Sequence, residues 1–120
     1  MASILVVDDS TTMRQMVSFT LTSAGHQVVE AADGNDAVEA AKKGRFDLII
    51  SDVNMPGMNG LELVRNLRTI PEYKFIPVLM LTTEAGQDIK QKGREAGATG
   101  WIVKPFSPEV LLATLKKVLD

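Results

Sequence analysis

Ile4-Leu5-Val6-Val7-Asp8-Asp9 is an unbroken apolar run that ends abruptly in two acids. Runs of the same kind recur at Val28-Val29, Leu48-Ile49-Ile50, Val78-Leu79-Met80-Leu81 and Trp101-Ile102-Val103, spaced about 24 residues apart. Short, continuously apolar and mostly β-branched runs suit strands buried on both faces. Helical patterns fill the gaps. Over residues 10–24, Met13, Met16, Val17, Thr20, Leu21 and Ala24 share one stripe, and Gly25 follows as a stop. Residues 33–43 carry Ala37, Val38 and Ala41 and end at Gly44; residues 61–67 carry Leu63, Val64 and Leu67, with Pro71 beyond. The fourth pattern, Gln87–Ala96, is poor in large apolar residues and contains Gly93, which costs about 1 kcal/mol against alanine in a helix interior. The fifth begins with Ser107 as a cap and Pro108 at the first helical position; Leu111, Leu112, Leu115, Val118 and Leu119 form its apolar face.

Strand and helix thus alternate five times, with no linker, repeat or low-complexity segment between them. This pattern predicts an α/β fold, a parallel sheet wound with helices on both faces. At 120 residues the chain is expected to be one domain. Hydrophobic residues at 45% and charged residues at 23% exclude intrinsic disorder. Without cysteine there is no disulfide scaffold, zinc finger or thiol nucleophile, and a single histidine cannot build a histidine-rich metal site. A net charge of -2 with no basic run argues against nucleic acid as the main partner. No apolar stretch is long enough to span a membrane, and the N-terminus lacks the pattern of a signal peptide, so a cytoplasmic protein is expected.

In sheets of this type, ligands bind outside the carboxyl ends of the strands. Here strand one ends in Asp8-Asp9, strand three in Ser51-Asp52, strand four in Thr82-Thr83 and strand five in Lys104-Pro105. If strands one and three are neighbours, Asp8, Asp9 and Asp52 share a pocket. Three clustered carboxylates repel one another and need a cation. All the donors are oxygens, which selects a hard ion, Mg2+ before a transition metal. A divalent ion, Lys104 and an aimed carboxylate are the parts that phosphoryl transfer requires. Asp52 is the one acid standing alone at its strand end, ahead of a glycine-containing loop. It is the candidate acceptor, with Asp8 and Asp9 as the metal-holding pair. Plainer roles exist for each group: Asp8-Asp9 as helix caps, Lys104 as a solvated cation, Thr82 and Thr83 as turn hydroxyls, Trp101 as core packing, His26 as a surface residue. Their coincidence at one sheet edge is what favours a shared site.

Four segments together resemble one family over the whole chain: Val-Val-Asp8-Asp9-Ser-Thr-Thr-Met-Arg, Asp52-Val-Asn-Met-Pro-Gly-Met-Asn-Gly, Met-Leu-Thr82-Thr-Glu and Gly-Trp-Ile-Val-Lys104-Pro-Phe. The family is that of the CheY-like receiver domains of two-component response regulators, of the chemotaxis type. The resemblance implies a flavodoxin-like (βα)5 doubly wound sheet in the order 2-1-3-4-5, with residues 1–120 as one receiver domain. It implies a phospho-acceptor at Asp52, and Mg2+ held by Asp9, Asp52, the Asn54 carbonyl and, through water, Asp8. Thr82 and Lys104 would contact the phosphoryl group, and the Lys104-Pro105 bond would be cis. Asn54 and Glu84 stand where such receivers tune hydrolysis of the acyl phosphate. The position of the family's switch aromatic, usually Tyr or Phe, is held by Trp101, which is larger and has no phenol hydroxyl.

The implied phosphodonor is a CheA-like histidine kinase. The implied output is contact of the fourth helix, fifth strand and fifth helix with another protein, a flagellar switch protein if the pathway is chemotaxis. Movement is expected at the weak fourth helix, with Gly86 and Gly93. Such a chain is a stand-alone signalling receiver rather than an enzyme. A non-chemotaxis single-domain receiver in a phosphorelay is the alternative. A phosphatase of the haloacid-dehalogenase type is more remote, because it needs Asp-x-Asp where this chain has Asp8-Asp9-Ser10. A flavodoxin-like carrier is disfavoured by the two acids after strand one and by an aromatic content of 5%.

Overall fold

The computed structural model describes residues 1–83 and 87–119. Five strands, β1 (Ser3–Val7), β2 (Gln27–Ala31), β3 (Leu48–Asp52), β4 (Val78–Thr82) and β5 (Gly100–Val103), alternate with helices α1 (Thr11–Ser23), α2 (Gly34–Lys43), α3 (Gly60–Arg68), α4 (Gln87–Ala96) and α5 (Pro108–Leu119). The sheet order is β2-β1-β3-β4-β5 and every pairing is parallel, the doubly wound α/β topology expected from the sequence. Alternate strand residues face opposite layers. Leu5, Val7, Ile49 and Met80 pack beneath α2, α3 and α4, with Ala37, Ala41, Leu63, Val64 and Leu67. Ile4, Val6, Leu48, Ile50, Leu79 and Leu81 pack beneath α1 and α5, with Val17, Leu21, Leu111 and Leu115.

The helix starts follow from local chemistry. Ser10 and Asp33 cap α1 and α2 by accepting the backbone N–H groups of Met13 and Asp36. Asn59 caps α3 and exchanges bonds with Glu62, a reciprocal capping box that fixes how the chain leaves the loop after β3. Ser107 Oγ accepts from Val110 N–H at the start of α5.

Three expectations are corrected. Strand β2 is not buried on both faces: it lies at the sheet edge, and Val29 is 45% exposed. On α1 the buried residues are Val17, Ser18 and Leu21; Met16 and Ala24 are exposed. The apolar stripe is wider than the strip of helix the sheet covers, so its margin is left in solvent. His26 is half-buried, and its Nδ1 accepts the Ala2 N–H at 3.0 Å.

Candidate functional site

Parallel strands deliver their last residues to one edge, so the site is assembled by topology. Asp52 is the final residue of β3 and lies opposite Leu81 of β4; Thr82 ends β4 opposite Val103. Asp8 and Lys104 are the first residues beyond β1 and β5. The Lys104 N–H donates to the Thr82 carbonyl at 2.7 Å, which extends the sheet pairing by one residue and brings the lysine inward. Its Nζ then lies 3.3 Å from Asp8 Oδ2 and 3.2 Å from Asp52 Oδ1. Carboxylate oxygens of Asp8, Asp9 and Asp52 all fall within 4.8 Å of one another. Asp8 is 1% exposed and Asp52 7%, whereas Asp9 is open to solvent.

Burial raises the pKa of Asp52 above the ordinary carboxylate range; Lys104 opposes this, and the neighbouring charges of Asp8 and Asp9 add to it. Asp8 is held at every polar atom. Its N–H donates to the Ala31 carbonyl at 3.2 Å, its carbonyl accepts from Arg14 Nη1 at 2.7 Å, and its Oδ1 accepts the Ser10 N–H at 2.9 Å. Its Oδ2 accepts from Lys104. Ser10, not either acid, caps α1, so helix capping does not account for the pair. The donor set suits a hard divalent ion: three carboxylates, with neither histidine nor cysteine among them.

Asn54 is exposed in the loop after β3, which turns at Gly57 with φ of 72°. Thr82 is fully buried. The Lys104-Pro105 bond is cis, as expected. Glu84 and Gly86 lie outside the described residues. Trp101 is half-buried against α4, and its indole rests on Gly93: a Cβ there would stand 2.3 Å from Cζ3. The glycine that weakens α4 in isolation is therefore what admits the ring. The indole Nε1 is buried and has no hydrogen-bond partner among the described residues.

Residues 4–116 match the family model described as the response regulator receiver domain. The chain belongs to that family. Among receivers with curated names, chemotaxis protein CheY-3 of Vibrio cholerae is 46% identical over 98% of this chain and 88% of its own length. Chemotaxis protein CheY of Pseudomonas aeruginosa is 40% identical, covering 98% of this chain and 95% of its own. The solved structure of Vibrio cholerae chemotaxis protein CheY4 superposes with a TM-score of 0.97 at 59% identity, covering 99% of both chains. The receiver domain of a Pseudomonas aeruginosa sensor histidine kinase gives 0.91 at 29% identity, covering 98% of this chain and 97% of its own. That structure is described as having a magnesium ion coordinated in its active-site cleft.

The sequence missed two residues that buttress the receiver's acidic corner. Arg14 of α1 bonds the Asp8 carbonyl and also pairs with Glu30 of β2, Nε to Oε1 at 2.9 Å. A signal existed for half of this: Arg14 stands one helical turn past the cap Ser10, on the side of α1 facing the strand end. Nothing local points to Glu30.

Proposed function

We propose that Asp52 is the acceptor of a phosphoryl group and that the chain is a signalling switch rather than a turnover enzyme, residues 1–120 acting as one receiver domain. One observation carries this: a buried carboxylate stands 3.2 Å from a lysine ammonium and beside two further acids. Asp8 is an unsuitable nucleophile because both its carboxylate oxygens are engaged, and Asp9 because it is exposed and solvated. In the transfer, an Asp52 oxygen forms the new P–O bond. The P–N bond to the donor histidine breaks, and the departing imidazole nitrogen takes up a proton. Lys104, already between Asp8 and Asp52, pairs with the incoming phosphoryl oxygens, and the Thr82 hydroxyl donates to them.

Asp8, Asp9, Asp52 and the Asn54 carbonyl are the residues to hold Mg2+. Its chemistry there is to neutralise charge on the transferring group. Asn54 and Glu84 tune the lifetime of the acyl phosphate. Phosphorylation adds about -1.5 to -2 charges, and Trp101 and α4 pass the change to the α4–β5–α5 face. A CheA-like histidine kinase as donor, a flagellar switch protein as target, chemotaxis as the pathway and a cytoplasmic location are supported by similarity to the named relatives. Among the described residues no helix is long and apolar enough to cross a membrane.

The test is labelling with acetyl phosphate and Mg2+. Wild type takes up phosphate and Asp52→Asn takes up none. Equal labelling of the variant removes Asp52 from the reaction.

A further inference from the structure

Asp9 differs from its two neighbours in how it is placed. Asp8 and Asp52 are buried and bonded to Lys104. Asp9 is exposed, and among the described residues no hydrogen bond holds its side chain. Its direction is therefore set by the backbone, specifically by the plane of the Asp8–Asp9 peptide. That plane is fixed by the Asp8 carbonyl, which accepts from Arg14 Nη1 at 2.7 Å just where the chain leaves β1. The same guanidinium reaches Glu30 at 2.9 Å through Nε, so it is braced against β2 from the other side. An ion pair with partners 16% and 39% exposed adds little to folding. The rigid guanidinium fork that joins two elements across the metal corner has a different consequence.

We propose that Arg14, braced by Glu30, is a positioning residue that orients the Asp8–Asp9 peptide and thereby sets the affinity of the acidic cluster for a divalent cation. The proposal rests on the reading of that cluster as a Mg2+ site. Groups that orient metal ligands without touching the metal typically govern affinity by about 10- to 100-fold.

The experiment titrates Mg2+ into wild type, Arg14→Ala, Arg14→Lys and Glu30→Ala by calorimetry, with melting temperature and Ser10 amide exchange followed in the metal-free protein. Arg14→Ala is expected to raise the half-saturating Mg2+ concentration about 10-fold or more and to speed exchange of the Ser10 amide. Arg14→Lys, whose ammonium is a point donor rather than a fork, gives partial rescue. Glu30→Ala shifts the affinity in the same direction by less. A lower melting temperature with unchanged Mg2+ affinity assigns Arg14 to stability alone and overturns the proposal. If Arg14→Ala does not fold, unchanged affinity in both other variants overturns it equally. Wild type that binds no Mg2+ defeats the metal-site reading instead, and Ser10 exchange unaltered by Arg14→Ala then defeats the positioning role independently.

Discussion

At the β1–α1 corner of the site, Asp8 is almost wholly buried and each of its polar atoms is paired. Across the site, on the α4–β5 side, Trp101 keeps a buried N–H with no partner among the described residues, and its ring leans on a glycine in a helix whose one large apolar residue, Ile89, is only half-buried. A buried unpaired donor costs about 1–3 kcal/mol, so the second region holds a cost that another arrangement can recover. At Asp8 the first holds none. Preorganised acids on one side and an unsettled helix edge on the other suit a molecule that receives charge at a fixed point and changes shape elsewhere.

The largest effect that sharpens this contrast is expected at Gly60, the first residue of α3. A Cβ there stands 2.2 Å from the Asp52 carbonyl oxygen and 2.9 Å from Val53 Cα, and neither backbone atom can swing aside. Gly60→Ala should cost about 3 kcal/mol or more in denaturant unfolding and should displace Asp52. If it is tolerated at less than about 1 kcal/mol, the Asp52 side is as pliable as the other.

Gly93→Ala is the matching intrusion on the α4 side, and its effect should be smaller. Its Cβ meets Trp101 Cζ3 at 2.3 Å, but that atom belongs to a side chain able to leave. Expulsion of the ring exposes the one tryptophan of the chain, so its fluorescence should shift to the red. The net loss should be about 1–2 kcal/mol, because alanine returns about 1 kcal/mol of helix propensity. In a Trp101→Ala background the sign should reverse, and Gly93→Ala should then stabilise by about that propensity term. An undiminished penalty in that background means that something other than the indole occupies the space.

The site's acids and the sheet were legible in the sequence for one physical reason. Continuous apolar runs can only be interior strands, and what ends them must stand at the sheet edge. The same rule failed at Val28-Val29, where two β-branched residues belong to an edge strand with Val29 in solvent. Pairings between distant residues were not legible. Arg68 of α3 donates to the carbonyls of Tyr73, Ile76 and Gly97, pinning the C-terminal turn of α4 to α3. In the sequence it is one cation on a helix, 29 residues from Gly97. Arg14 is likewise 16 residues from Glu30. Gly93 read as a local defect because its compensation, the Trp101 ring, lies on strand β5 rather than on α4.

The smallest effect probes the well-paired side at its one exception. Ser18 of α1 is 8% exposed, and its Oγ is buried with no partner among the described residues. If complete pairing is what makes that side firm, removing this hydroxyl should strengthen it. Ser18→Ala leaves the backbone helix intact, deletes an unpaired polar atom and substitutes the best helix former, for a gain of about 1 kcal/mol. The melting temperature should rise while Mg2+ affinity and acetyl phosphate labelling stay at wild-type values, because Ser18 lies a full turn beyond Arg14 and its hydroxyl bonds neither acid. A fall in melting temperature would mean that the hydroxyl is satisfied by bound water. Full pairing would then extend along the whole inner face of α1, leaving Trp101 Nε1 as the buried side-chain donor without a partner among the described residues.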